Sequence, residues 1–424
     1  METIRPAKKI SGKLSVPGDK SISHRALMLA AIADGVSVIE GLSTAEDVQS
    51  TANCLRALGI EIEHDGFATV VHGKGLRGLQ PPVTPLDAGN SGTTMRLLSG
   101  ILAGQPFETM IDGDDSLRRR PMTRIIRPLQ QMGAEIVAAE GGRAPLTIRA
   151  GQLQPLHYEM PVASAQVKSA ILLAGLYASG KSSVVQPVAT RDHTERMLRH
   201  LGARLETKQN KITIAPGALK AGKIVVPGDF SSAIFFMAAA FMLPGSALNI
   251  FNVGVNATRS YALKILQRAG AEIVLDNLAV HNGEEVADFT LRSSKLSAFR
   301  IGGKEIPLLI DEIPILAVLA TQAKGISTVR NAAELRVKES DRIRAIAENL
   351  AKMGVKMKVF EDGFEINGPV KLHGAEIDSF GDHRIAMAFA IAGLIAEGET
   401  GIHGTEAAAV SFPGFFEKLA ELSA

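Results

Sequence analysis

Hydrophobic and polar positions along the chain repeat one design six times. Each instance opens on polar or small residues, runs apolar for the length of a helix, and closes on glycine. The six are "DKSISHRALMLAAIADG", "GNSGTTMRLLSGILAG", "ASAQVKSAILLAGLYASG", "DFSSAIFFMAAAFMLPG", "DEIPILAVLATQAKG" and "GDHRIAMAFAIAGLIAEG". Their closing glycines, Gly35, Gly104, Gly180, Gly245, Gly325 and Gly398, recur once per roughly 65 to 80 residues, the mark of a repeat architecture. Glycine at that place suits a helix C-terminal cap. A short strand-like run follows each one, from "VSVIEGL" in the first unit to the weaker "TGIHGT" in the last. A second, amphipathic helix comes next. Five of these end alike, in "LRALGIEIE", "LQQMGAEIV", "LRHLGARLE", "LQRAGAEIV" and "LAKMGVKMK". Glycine stops the helix there, and the alternation after it predicts a strand. Segments such as "KITIAPG" and "GFEINGP" read as hairpin partners, so the predicted unit is α-β-α-β-β.

The sixth unit is incomplete, because its second helix, "FFEKLAELSA", ends the sequence where two strands are expected. The N-terminal 16 residues are strand-like with no helix before them, and they are expected to complete unit six. The chain is thus expected to form an α/β (α+β) protein of two similar domains with three units each. Residues 20–225 make one, and residues 1–16 with 230–424 make the other. Hinges are expected near 16–20 and 226–230, at the duplicated turns in "GKLSVPGDKSISHR" and "GKIVVPGDFSSAIF". The first helices are apolar nearly all round and belong at the centre of each domain, under the second helices and sheets.

Composition narrows the class. A chain of 424 residues, 46% of them hydrophobic, can build more than one core. The net charge of +2 gives no global field that calls for nucleic acid or membrane. The longest apolar runs, "AIFFMAAAFML" and "IAMAFAIAGLIA", are too short to span a bilayer. The N-terminus has no signal-peptide core, and a single cysteine, Cys54, excludes an internal disulfide and suits a reducing, cytoplasmic compartment.

Candidate chemistry concentrates at the starts of the first helices, where free N–H groups and the helix dipole favour anions. Lys20, Ser21 and Arg25 stand at the first, and Asn90, Gly92 and Thr93 at the second. Ser164 and Gln166 stand at the third, Asp311 at the fifth, and Asp382, His383 and Arg384 at the sixth. The loop "DGDDSLRRRPM" adds Arg118, Arg119 and Arg120. In "LRVKESDRIR", Lys338 and Arg342 share a helical face if the helix has begun by then. Glu339 would then head the stripe of Ile343, Ile346 and Leu350, where partial desolvation suits a general acid. If the helix begins at Ser340 instead, Glu339 is a loop residue. No dinucleotide fingerprint, P-loop or H-E-x-x-H is present, and no histidine pair has zinc spacing. Cys54, in "TANCLRALG", reads as helix core rather than nucleophile.

"VPGDKSISHR", "GNSGTTMRLL", "RRRPM", "ASAQ", "LRVKESDR" and "GDHRIAMAF" together resemble the 5-enolpyruvylshikimate-3-phosphate synthase family of enolpyruvyltransferases, in family order over nearly the whole chain. The resemblance implies two domains of the inside-out α/β barrel type with the active site in the cleft between them. It implies transfer of the enolpyruvyl group of phosphoenolpyruvate to the 5-hydroxyl of shikimate 3-phosphate, with phosphate released, on the way to chorismate and the aromatic amino acids. It also implies no metal, no organic cofactor, no nucleic-acid or membrane partner, and a monomer.

Carried over by motif, Lys20, Ser21, Arg25, Ser164, Ala165, Gln166, Arg191, Asp311 and Lys338 are expected to bind shikimate 3-phosphate. Lys20, Asn90, Gly92, Arg120, Gln166, Arg342 and Arg384 are expected to bind phosphoenolpyruvate. Asp311 matches the acceptor of the hydroxyl proton and Glu339 the candidate donor to C3, with Lys20 also counted as catalytic. The substrates carry about −6 between them at neutral pH. Seven cations (Lys20, Arg25, Arg120, Arg191, Lys338, Arg342 and Arg384) set against Asp311 and Glu339 would leave an empty site strongly positive. Glyphosate inhibits the family at the phosphoenolpyruvate site. Val410 stands where many members carry Lys, and Ala165 replaces a frequent Ser. The rival within the fold, UDP-N-acetylglucosamine enolpyruvyltransferase, usually has a Cys in the basic loop, and "DGDDSLRRRP" has none.

Overall fold

Each of the six apolar runs forms a helix in the computed structural model, which describes residues 1–423. The helices are Lys20–Ala31, Gly92–Leu102, Ala165–Gly175, Phe230–Met242, Ile313–Ala320 and His383–Leu394. Their all-round apolar character has the expected result: His383–Leu394 buries every residue, and Phe230–Met242 every residue except Met242. Asp19, Ser91, Ser164, Asp229 and Asp382 cap five of the starts, each accepting a hydrogen bond from a backbone N–H of the first turn. Close approach is built in as well. A Cβ on Gly100 would lie 2.3 Å from the Ala170 carbonyl oxygen, so only glycine lets Gly92–Leu102 lie against Ala165–Gly175.

Each repeat then supplies a strand, a second helix and, in five repeats, a hairpin. The second helices stop where expected, at Gly59, Gly133, Gly202, Gly270 and Gly354, all with φ between 83° and 96°. Their faces are amphipathic: Arg342–Lys352 buries Ile343, Ala345, Ile346 and Leu350 and turns its charged positions outward, Arg342 excepted. Repeat two carries an extra short helix, Asp115–Arg119, inside the basic loop.

The sheets show what the N-terminal strands do. In the sixth repeat Glu2–Ile4 pairs antiparallel with Thr400–His403, so the start of the chain does enter unit six. Ser11–Ser15 does not. It runs parallel to Ala247–Gly254 of repeat four, while Lys223–Val225 runs parallel to Ala33–Glu40 of repeat one. The strand before each "VPGD" turn thus belongs to one sheet system, and the helix after it belongs to the other.

The chain divides into two compact units. One is Met1–Pro17 with Pro227–Ala279 and Glu285–Ala424; the other is Gly18–Val226 with Val280–Glu284. Both breaks between the repeats fall inside the "VPGD" turns. The hairpin turn Val280–Glu284 lies with the first three repeats, a departure from the expected span 230–424. Each unit has its own continuous apolar core, built around its three first helices.

Candidate functional site

The starts of the first helices are tied to the starts of the second helices in the first five repeats. Lys20 Nζ lies 2.8 Å from Asp47 Oδ2, and Arg120 Nη2 donates to Asn90 Oδ1 at 2.6 Å. Lys168 Nζ lies 2.6 Å from Glu195 Oε1, Arg259 Nη2 2.5 Å from Asp229 Oδ1, and Arg342 Nη1 3.3 Å from Asp311 Oδ1. These bridges decide which polar groups can face a ligand and which are spent inside the fold.

In the unit of repeats one to three, Arg25 is 5% exposed. Burial lowers its pKa to about 10, offset in part by Glu195 and Asp19, so it stays charged at neutral pH. Its Nη1 donates to the Ser21 carbonyl at 2.8 Å. Ser164 caps Ala165–Gly175, accepting from Val167 N at 3.3 Å. Gln166 reaches across to the neighbouring helix, taking Arg96 Nη1 at 2.7 Å on its oxygen and giving Nε2 to Thr93 Oγ1 at 3.1 Å. A hydroxyl chain joins the first two helix starts: His24 Nδ1 meets Thr51 Oγ1 at 2.6 Å, Thr51 meets Thr94 at 2.6 Å, and Thr94 donates to the cap Ser91 at 2.8 Å. Burial and the nearby Lys20 and Arg25 hold His24 well below the usual histidine range, so it is neutral.

The arginine triplet separates. Arg118 is exposed on the short helix and pairs with Asp112 at 2.7 Å, and Arg119 is exposed. Arg120 ends that helix in an extended conformation and turns inward, 8% exposed, onto Asn90 and Ser116. Gly92 opens the adjoining helix, and a Cβ there would sit 3.5 Å from Arg120 Nη1. Arg191 is half-buried in the segment before His193–His200 and adds its repulsion to Arg25.

In the other unit, Arg342 is 1% exposed and is surrounded by three carboxylates. It reaches Asp382 Oδ2 at 2.8 Å, Glu339 Oε2 at 2.8 Å and Asp311 Oδ1 at 3.3 Å. Burial alone would lower its pKa, but Asp382, Glu339 and Asp311 outweigh burial and raise it. Arg384 Nη1 donates to the Asp311 carbonyl at 3.0 Å, and its Nε lies 3.8 Å from Asp311 Oδ1. Lys338 is half-buried; desolvation lowers its pKa, opposed by Asp311 and Glu339. Asp311, Lys338, Glu339, Arg342 and Arg384 therefore form one cluster.

Two expectations need correction. The helix begins at Arg342, with Asp341 as its cap, so Glu339 is a loop residue and does not head the apolar stripe. Lys338 closes a preceding 3-10 turn, Ala333–Val337, so it shares no helical face with Arg342. The charge count also changes. Asp47 stands within 4.0 Å of Lys20, and Asp311, Glu312, Glu339 and Asp382 within 4.0 Å of Arg342 or Arg384, so more carboxylates oppose these three cations than the two that were expected. The missed partners Asp47 and Glu195 share a signal: each stands in the first turn of a second helix. Elsewhere, hairpin geometry gathers Glu61, Glu63 and His72 at the surface, and nothing ties them to this chemistry.

A family model for EPSP synthase (3-phosphoshikimate 1-carboxyvinyltransferase) matches residues 4–419. A Synechocystis sp. relative, named 3-phosphoshikimate 1-carboxyvinyltransferase, is 54% identical over 98% of this chain and 94% of its own length. A Brevibacillus brevis relative of the same name is 51% identical over 100% of both. The solved EPSP synthase of Acinetobacter baumannii superposes with a TM-score of 0.89 at 44% identity, covering 99% of this chain and 97% of its own. The enolpyruvyl transferase NikO of Streptomyces tendae, at 19% identity and a TM-score of 0.83, shares the fold. The fold is that of the two-domain enolpyruvyltransferases. Within that class, the chain belongs to the EPSP synthase (3-phosphoshikimate 1-carboxyvinyltransferase) family.

Proposed function

We propose that the two clusters serve one reaction, transfer of the enolpyruvyl group of phosphoenolpyruvate to the 5-hydroxyl of shikimate 3-phosphate. The observation that carries the reading is the setting of Asp311, a carboxylate held between Arg342 at 3.3 Å and Arg384 at 3.8 Å and beside Lys338. A base so placed stands among the cations that a phosphorylated, carboxylated substrate requires. Lys20, Ser21, Arg25, Ser164, Ala165, Gln166, Arg191 and Lys338 take the shikimate phosphate and ring. Asn90, Gly92, Arg120, Gln166, Arg342 and Arg384, with Lys20, take phosphoenolpyruvate.

The hydroxyl oxygen attacks C2 of phosphoenolpyruvate as its proton passes to Asp311, and C3 gains a proton from Glu339. The tetrahedral adduct then expels phosphate with the C2–O bonding pair, and return of a C3 proton to the Glu339 carboxylate restores the double bond. Lys20 and Arg342 hold carboxylates in the structure, so substrate anions share those cations with Asp47 and Glu339, while the buried Asp382 keeps Arg342 in place. The finer reading is a monomer acting in the cytoplasm, where a lone reduced thiol is at home; sedimentation of the full chain tests its state. Among the described residues no helix is long and apolar enough to cross a membrane. The deciding assay measures phosphate release from phosphoenolpyruvate with and without shikimate 3-phosphate. Release without the second substrate, or none with both, overturns the proposal.

A further inference from the structure

Arg25 is held from behind by two hydroxyls outside the set proposed above. Its Nε donates to Thr194 Oγ1 at 2.7 Å, and its Nη2 donates to Ser169 Oγ at 3.1 Å. The two hydroxyls lie 2.6 Å apart, and Ser169 Oγ donates to the Ala165 carbonyl at 2.7 Å. Hydroxyl valence fixes the direction of every proton. Ser169 has one O–H and spends it on Ala165, so it accepts from Thr194, and Thr194 accepts from Arg25. The relay therefore runs from the guanidinium to the first turn of Ala165–Gly175, which carries Ala165 and Gln166 behind the cap Ser164. With Nη1 on the Ser21 carbonyl, three of the five N–H donors are engaged, and one donor remains on each Nη. A pair so arranged fits two oxygens of one carboxylate or phosphate.

The base of this relay is rigid. Thr194 stands between His193, which meets Glu284 at 2.7 Å, and Glu195, which meets Lys168 at 2.6 Å. None of these four side chains is more than 4% exposed. Buried pairs of this kind hold geometry, since breaking one strands a charge.

We propose that Thr194 and Ser169 are positioning residues for an anionic group of shikimate 3-phosphate, its phosphate or its carboxylate, acting through Arg25; the proposal rests on the reading of Arg25 given above. They hold its two remaining donors in register with the start of helix Ala165–Gly175. Neither hydroxyl need touch the substrate.

The test is Thr194→Val, close to isosteric, studied in the full chain by calorimetric titration with shikimate 3-phosphate and by steady-state kinetics. A hydrogen bond to a charged group carries enough energy that the dissociation constant and KM for shikimate 3-phosphate should rise roughly tenfold or more. KM for phosphoenolpyruvate should change by less than about a fifth of that factor, and Thr194→Ser should restore both constants. Ser169→Ala, with no added bulk, should show the same selective loss. In an Arg25→Lys background Thr194→Val should add little. A folded Val variant with unchanged affinity for shikimate 3-phosphate would overturn the proposal, as would equal losses for the two substrates. Wild-type protein that fails to bind shikimate 3-phosphate at all would instead sink the functional reading on which it rests.

Discussion

Arg342 sets its Nε on Asp382 Oδ2 at 2.8 Å, and the two side chains are 1% and 0% exposed. Asp382 also caps His383–Leu394 through the Arg384 N–H, so one carboxylate orients two of the three arginines proposed for phosphoenolpyruvate. Asp382→Ala removes a helix cap, at about 1 kcal/mol, and one partner of a buried pair, at roughly 3–5 kcal/mol. Urea unfolding should show a loss of that order. Asp382→Asn keeps the cap and should fold, yet bind phosphoenolpyruvate less well. A midpoint for the Ala variant within error of wild type would mean that Asp382 does not organise this corner.

Asp311→Asn should cut kcat by roughly 10²- to 10⁴-fold, the range of a lost general base, while shikimate 3-phosphate still binds. The amide keeps the shape but cannot accept the hydroxyl proton. Because Asp311 also pairs with Arg342, KM for phosphoenolpyruvate should shift as well. Turnover near that of wild type would remove Asp311 from the base role.

The pH dependence of Lys338 has a definite sign. Burial lowers its pKa below the ordinary lysine value, so it loses its charge at a lower pH than an exposed lysine. An ammonium that must meet an anion works only while protonated. The kcat/KM for shikimate 3-phosphate should therefore hold on the acid side of that pKa and fall on the alkaline side. Lys338→Arg, whose charge persists, should move the alkaline limb upward. A limb unmoved by the substitution would assign it to another group.

Cys54 is 2% exposed, its Sγ donates to the Asp87 carbonyl at 3.2 Å, and burial raises its pKa to about 12. It is a neutral thiol in the core and no nucleophile. Cys54→Ser should therefore keep kcat within a few-fold and cost about 1–3 kcal/mol of stability through the buried hydroxyl. Loss of turnover in a folded variant would restore a catalytic cysteine to consideration.

The repeat was readable in the sequence because each unit carries the same local signals: an apolar run, a strand, and a helix stopped by glycine. Gly59 through Gly354 act as expected. The closing glycines of the first helices are less uniform, since Gly35, Gly245, Gly325 and Gly398 take positive φ whereas Gly104 and Gly180 do not. The destination of Ser11–Ser15 was hidden, because alternation reveals a strand but not its partner. Ion-pair partners were hidden for the same reason. Nothing local in "TAEDVQS" says that Asp47 meets Lys20. The duplicated "VPGD" turn shows the difference between fold and chemistry. Asp19 and Asp229 both cap a helix, but Lys20 faces Asp47 while Phe230 is wholly buried, and the cation of that pair comes from Arg259 instead. Shared backbone makes the turn legible; the side chains that fill it decide which copy can hold a ligand.

Gly92 gives the sharpest test of the phosphoenolpyruvate subsite. Its helix start lies beside Arg120, and an added Cβ would come 2.9 Å from Arg96 Nη1 and 3.5 Å from Arg120 Nη1. The first distance is too short, so Arg96, which also holds Gln166, must move at its flexible end. Arg120 would be in ordinary van der Waals contact and need not move. Glyphosate is longer than phosphoenolpyruvate and has less room to adjust beside the new methyl group. Wild-type enzyme should be inhibited competitively with phosphoenolpyruvate, and Gly92→Ala should raise the inhibition constant by a larger factor than KM for phosphoenolpyruvate. The mode of action can be read from the pair of constants. A larger effect on glyphosate means that the methyl meets the longer ligand. Equal losses mean that it acts only by disturbing Arg96, and the placement of Gly92 against the ligand would then be wrong.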